Sequence, residues 1–320
     1  MKTGNMLVEK AAGNDCTEFQ RFIKSLRTQR QLWLLSIPII IWVIIFAYYP
    51  MYGILMAFFD YTPGKEIFQC DFTGLKYFKQ FVTNPSIFTL LRNTLVMSGL
   101  SLTLGFLAPI VFSLMLNEMG RSGVKKVIQT VSYLPHFISW IVAGSMVYMV
   151  LSSDGILNSL LSASGATENS IPFLTKGEYY WTIYIIVNVW KSVGWSSIIY
   201  LSAMSGVDEE LYQSGAIDGL GRWGMVKHIT LPSIAPTIIL LWILGIGNIL
   251  SAGFDYHLII GNAATRPYWD VIDTYAYRYG VQQGYYSMGT AVSLMKSVIG
   301  FVLVWITNSI SKKMTDTSIF

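Results

Sequence analysis

The chain has 320 residues, 53% of them apolar and only 12% charged. An average soluble domain is roughly 25% charged, so a pair of soluble domains is excluded and the composition is that of a bilayer protein. Six crossings of about 20 apolar residues would leave about 170 positions for loops and tails, too few for a large soluble catalytic domain, and a formal charge of +4 is too small and dispersed for a nucleic-acid footprint.

Residues 1–32 form a polar tail carrying Lys2, Lys10, Arg21, Lys24, Arg27 and Arg30. An apolar stretch follows from Trp33 to about Phe59, longer than the about 7 to 15 residues of a cleaved signal core. It reads as a first span interrupted by Pro38 and Pro50, which neighbouring helices must accommodate. Further apolar runs lie at about 90–116, 127–151, 179–204, 233–254 and 287–310. The expectation is an all-α integral membrane protein with six transmembrane helices over 33–311 and tails at 1–32 and 312–320. Thirteen lysines and arginines fall on the side of the tails: the six above, Arg121, Lys125, Lys126, Arg222, Lys227, Lys312 and Lys313. Six fall on the other side, namely Lys65, Lys76, Lys79, Lys176, Arg266 and Arg278. Positive residues stay inside, so both termini are expected in the cytoplasm. Cys16 and Cys70 then lie on opposite sides and cannot pair. Tyr48, Tyr49, Tyr52, Tyr179, Tyr180, Trp181, Tyr285 and Tyr286 lie near span ends and read as interfacial belts.

In the fourth span Asn188, Lys191, Ser192 and Trp195 fall at i, i+3, i+4 and i+7, on one helical face. Lys191 is about eleven residues from the outer end, near mid-membrane at about 1.5 Å per residue, where facing lipid costs about 2.5–3.5 kcal/mol. The face therefore looks inward, either to an interhelical polar contact or to a wet path. Gly245, Asn248, Ala252 and Asp255 make a similar stripe on span five, and Gly289, Ser293, Lys296 and Gly300 on span six; such small residues also permit close helix packing. An indole such as Trp195 suits the apolar face of a pyranose, and amides and hydroxyls suit its rim.

Between spans four and five the segment 207–231 is too structured for a simple connection. Asp208 can cap a helix whose first turn holds Glu209 and Glu210. Gly219 and Gly221 break it, a second short helix runs from about Arg222 to Ile229, and Pro232 opens the next span. Chemistry is sparse elsewhere. There is no phosphate-binding loop, no G-x-S-x-G or HExxH motif, and no metal-ligand spacing among two cysteines and the scattered His136, His228 and His257. A membrane enzyme acting on lipid-linked sugar would have to draw on Asp255, His257, Asp270 and Asp273. An ion-coupled carrier would need intramembrane carboxylates, whereas the clearest intramembrane charges are Lys191 and Lys296.

Gln213-Ser214-Gly215-Ala216-Ile217-Asp218-Gly219, followed after nine residues by Ile229-Thr230-Leu231-Pro232, resembles the EAA-x-x-x-G-x9-I-x-L-P signature of binding-protein-dependent ABC importer permeases. Four more stretches resemble the oligosaccharide and polysaccharide branch of that family. They are Tyr49-Pro50-Met51-Tyr52-Gly53-Ile54, Leu91-Arg92-Asn93-Thr94-Leu95, Tyr133-Leu134-Pro135-His136-Phe137-Ile138-Ser139-Trp140 and Asp270-Val271-Ile272-Asp273-Thr274-Tyr275. The resemblance runs from about residue 30 to 313. It implies the type I ABC importer permease fold in a bacterial plasma membrane, surrounded by lipid, with a cytoplasmic coupling helix and no nucleotide site or cofactor on this chain. It further implies a second permease, two cytoplasmic ATPase subunits holding ATP and Mg, an extracytoplasmic sugar-binding protein and an oligosaccharide substrate. Gln213, Ala216, Asp218, Gly219 and Leu220 are then the coupling residues. Gln213 replaces the signature glutamate, and Ser214 and Gly215 replace two alanines. Lys191, Ser192, Trp195, Gly245 and Asn248 fall at or beside the family's sugar-contacting positions, and Asn188 shares the face of the first three.

Overall fold

The computed structural model describes residues 30–119 and 123–315. Most of the basic N-terminal tail, Cys16, Arg121 and residues 316–320 lie outside them. The chain divides into two units, residues 1–55 and 56–320. The first holds α1 (Arg30–Val43), which continues through a widened turn at Ile44–Tyr48 into a tighter helical stretch, Tyr49–Phe58. No residue of α1 is buried. A mostly apolar helix with most of its side chains exposed is built for hydrocarbon rather than water.

The second unit is helical, and among the described residues its one β-bridge joins Phe59 to Phe72. In order come α2 (Lys76–Val82), α3 (Ile87–Leu100), α4 (Phe106–Glu118), α5 (Gly123–Phe137), α6 (Trp140–Leu151) and α7 (Ile156–Ala163). Then follow α8 (Tyr180–Ser205), α9 (Glu209–Ile217), α10 (Arg222–Met225) and α11 (Leu231–Gly247). The chain ends with α12 (Phe254–Ile260), α13 (Arg266–Trp269), α14 (Ile272–Tyr277) and α15 (Tyr286–Thr315). Five described stretches are long and apolar enough to cross a membrane: Arg30–Phe58, Ile87–Glu118, Trp140–Ala163, Arg222–Gly247 and Tyr286–Lys313. The fourth expected span coincides with α8, 26 residues long. Its tyrosines, tryptophans, Asn188 and Lys191 make it less apolar than those five, and it is enclosed by α3, α4, α5 and α11.

Two expected spans end differently. The run at 127–151 is two helices, because Pro135 brings no N–H to the last turn of α5 and the Ser139 hydroxyl accepts from Val142 N at 3.3 Å, starting α6 afresh. The run at 233–254 stops at Gly247. Asn248 caps it, its amide donating to Leu244 O at 3.1 Å, and Gly253 turns the chain with φ +75°. Ala252 and Asp255 therefore leave the stripe that Gly245 and Asn248 begin.

Three apolar cores hold the second unit together. Ile272, Tyr275, Met288 and Val292 pack with Phe81 and Leu90. Tyr180, Tyr184, Tyr256 and Val271 surround Met97, and Ile110, Tyr200, Met204 and Ile234 close the end near α9. The belt expectation fails at Tyr180, which is buried with its hydroxyl 3.0 Å from His257 Nδ1.

Candidate functional site

α5 and α8 cross at Gly194, where any Cβ would overlap the Ser132 backbone carbonyl, so only glycine allows the approach. One turn earlier Lys191 meets the end of α5, whose last carbonyls lack intrahelical donors. Its ammonium donates to Pro135 O at 3.1 Å, His136 O at 3.0 Å and Ile138 O. An ammonium has three N–H groups, and all three are engaged. Its charge also lies 5.3 Å from the Trp140 ring centroid and complements the negative end of the α5 dipole. Of the two readings open for this face, the interhelical contact describes Lys191.

Trp195 lies one turn further on. Its indole stacks on His136 with centroids 4.5 Å apart and planes 3° apart, and meets Phe137 edge-on at 5.6 Å. One face is thus covered by this chain, yet the side chain stays 44% exposed. Ser192 and Asn188 are half-buried. The Ser192 hydroxyl donates to Asn188 O at 2.7 Å, and the Asn188 amide oxygen lies over Gly105 in the widened turn Ser101–Gly105. Gly245 reaches the same turn from α11, where a Cβ would stand 2.8 Å from Leu102, a packing contact. Asn248 is exposed and lines a cleft with α15. The six expected path residues therefore divide: Lys191 and Trp195 face α5, Asn188 and Gly245 border the widened turn, Asn248 faces α15, and Ser192 bonds back to its own helix at Asn188 O.

Two clefts run along α15. One, of about 590 Å³, is walled by Phe254, Asp273, Tyr277, Tyr286, Ser293 and Lys296 among others. The second, of about 350 Å³, includes Asn248, Ser251, Lys296, Ser297 and Gly300. Lys296 is ion-paired with Asp273 where the clefts meet.

The 266–278 segment is locked to α3. Asn93 donates to Pro267 O and Asp270 O, both at 3.0 Å, Arg92 donates to Pro267 O at 2.6 Å, and Thr94 accepts from Ile272 N at 3.1 Å. Asp270 is buried but held by Arg278 at 3.1 and 2.7 Å and by the Thr274 hydroxyl at 2.8 Å. His257 is fully buried, Nε2 donating to Ala252 O and Nδ1 accepting from Tyr180. Burial pushes its imidazole down to about 4, against the opposing pull of the Ala252 carbonyl and Asp270. Asp270, Asp273 and His257 are thus occupied structurally and present no catalytic set. Among the described residues no group of three or more His, Cys, Asp or Glu could hold a metal.

In the 207–231 segment Asp208 caps α9 by accepting from Glu210 N at 3.0 Å. Gly219 ends α9 in the left-handed region at φ +76°. Leu220 N donates to Gly215 O at 2.9 Å and Gly219 N to Ala216 O at 3.1 Å, a Schellman closure. Leu220 folds back over Gly215, where a Cβ would meet Ile229 at 2.7 Å and Met225 at 2.9 Å. These larger neighbours fill the space that the alanine of the signature would take. Tyr212 and Thr230 join the two helices at 2.9 Å. α10 does not stop at Pro232; it passes through a widened turn, Val226–Thr230, straight into α11. Gln213, Ala216, Asp218 and Gly219 are exposed and Leu220 is half-buried. Sequence reasoning missed Ile217 and Trp223, 87% and 85% exposed, two large apolar side chains beside the Gly219 turn. It also missed His136 beside Trp195 and the pairing of Asp273 with Lys296; the first two had a usable signal in being apolar residues within a polar surface segment.

Residues 101–316 match the model of the family described as binding-protein-dependent transport system inner membrane component. The chain is 39% identical over 300 residues to Protein LplB of Bacillus subtilis (strain 168), spanning 93% of this chain and 94% of that protein. It is also 39% identical over 302 residues to the polygalacturonan/rhamnogalacturonan transport system permease protein YteP of the same organism, spanning 94% of each. Among solved structures, a chain of a bacterial alginate ABC transporter in complex with an alginate pentasaccharide-bound periplasmic protein is 38% identical. It superposes with a TM-score of 0.83 over 93% of this chain and 100% of that one.

Proposed function

The chain belongs to the family of binding-protein-dependent transport system inner membrane components, and we infer from that membership and from the site that it is the permease subunit of an ATP-driven importer of an oligosaccharide or polysaccharide. It is a multi-pass protein of the bacterial inner membrane, is not an enzyme and carries no cofactor of its own. ATP and Mg belong to two cytoplasmic ATPase subunits, a second permease supplies the other half of the path, and an extracytoplasmic binding protein delivers the sugar. Both termini are cytoplasmic. The chain from 33 to 311 is the permease domain.

The coupling reading is carried by the surface turn at Gly219, which holds α9 against α10 with Ile217 and Trp223 projecting. Apolar groups exposed to that degree on a polar segment fit a docking groove. Gln213, Ala216, Asp218 and Leu220 complete that surface, Gln213 through its amide rather than a charge. In the path, the open part of Trp195 packs on a pyranose face while Asn188 and Ser192 of the same helix bond its rim, and Asn248 meets another unit of the sugar at the α15 cleft. Lys191 and Gly245 position the helices that carry them.

The test is reconstitution with the ATPase, the second permease and the binding protein. Ile217→Asp with Trp223→Asp is expected to abolish co-purification of the ATPase while the chain still inserts. Trp195→Ala is expected to lower sugar uptake with the ATPase still bound. Uptake that persists without the ATPase and collapses with the ion gradient would instead make the chain a carrier.

A further inference from the structure

Lys296 lies ten residues into α15, about 15 Å along a helix axis at 1.5 Å per residue and so near the middle of a core roughly 30 Å thick. A charge facing lipid at that depth is strongly disfavoured, and intramembrane ionisable groups mark water-filled routes. Lys296 and Asp273 keep side-chain exposures of 22% and 19%, so the pair is reachable from the clefts. They are the only charged side chains among the residues lining either cleft, and they are placed unequally: Asp273 lines the larger cleft alone, whereas Lys296 lines both. Lys296 lines the smaller cleft together with Asn248, Ser251 and Ser297, and no carboxylate is among its lining residues. The larger cleft offers Tyr277, Tyr286 and Phe254 as stacking surfaces, with Thr290 and Ser293 as hydroxyl partners.

We propose that Lys296 is a carboxylate-recognition residue of the translocation path, held in reserve by Asp273, and that the sugar this chain passes is acidic, a uronate-bearing oligosaccharide. The proposal rests on the importer reading above. Asp273 neutralises the ammonium while the path is empty. A sugar carboxylate moving between the clefts takes its place and the pair re-forms behind it, with no bond made or broken. A neutral sugar meets only a closed ion pair and has nothing to exchange for it.

The test uses the complete complex in proteoliposomes, with galacturonate and alginate oligosaccharides as probes beside their carboxyl-reduced neutral counterparts. Wild type is expected to take up the acidic probes at least about tenfold faster than the neutral ones, the scale of one lost hydrogen bond to a charged group. Lys296→Gln is expected to remove that preference, whereas Lys296→Arg keeps it. Asp273→Asn, which breaks the same pair from the other side, is expected to retain acidic uptake. Basal ATP hydrolysis reports assembly of every variant. ATP-driven uptake of the neutral counterparts as fast as the acids, or an equal fall in Lys296→Gln and Asp273→Asn, overturns the inference. Uptake independent of ATP overturns the importer reading instead.

Discussion

Of the three carbonyls that Lys191 binds, Pro135 O also accepts from Ile138 N at 3.2 Å, but His136 O and Ile138 O have no other donor among the described residues. Lys191→Met leaves these two unsatisfied in a dry interior, and the loss of charge-assisted bonds is expected to cost about 1.5–3 kcal/mol. This should be read as a lower unfolding midpoint of the solubilised complex, with Lys191→Arg losing less. The sequence could place this cation inside the membrane by the cost of exposing it, but its partners are backbone oxygens, and those leave no mark in residue identity. His257 was illegible for a related reason: its neighbours Tyr180 and Tyr184 lie more than 70 residues away in the chain, and only folding shows that the ring is dry. Its pKa falls from 6.5 to about 4 on burial. Below pH 6.5 the unfolded chain takes up a proton that the folded chain refuses, so stability is complete at neutral pH and declines as pH falls toward 4. The limiting slope is about 1.4 kcal/mol per pH unit. Unfolding midpoints measured from pH 7.5 to 4.5 should show this decline, and His257→Asn should flatten it.

Helix boundaries depended on single residues that hydropathy does not register. The apolar run at 127–151 has no polar gap long enough to suggest a break, yet one hydroxyl, that of Ser139, is enough to start a new helix. The run at 233–254 likewise hides the left-handed Gly253. The Gly219 turn was legible, because glycine at the end of a capped helix is a physical requirement of the backbone. At φ +76° no Cβ contact lies within 4 Å, so what forbids other residues there is the dihedral and not crowding. A β-branched residue pays at least about 1–2 kcal/mol in that conformation. Gly219→Val is therefore expected to leave insertion intact but separate ATP hydrolysis from uptake, measured together in proteoliposomes. Gly219→Asn, which tolerates the left-handed region, should keep most coupling; full coupling in the valine variant would remove the turn from the docking role.

Across the whole molecule, several stretches that carried the family resemblance prove to be neighbours in space. Arg92, Asn93 and Thr94 hold the backbone at 267–272, and the 135–140 stretch receives Lys191 and Trp195. The resemblance therefore follows contacts that fix the packing as much as residues that touch a ligand, which is why class and fold could be read early while the path residues divided among several surroundings. The continuous helix Arg222–Gly247 has one further consequence. Its 26 residues make a rod of about 39 Å at 1.5 Å per residue, so each degree of tilt about its Gly247 end displaces the Arg222 end by about 0.7 Å. Gly247 rests against Gly300 of α15, a bare fulcrum on which such a lever can rock. The widened turn at Val226–Thr230 sits close to the end that the proposed coupling would drive, where compliance wastes the least of the movement.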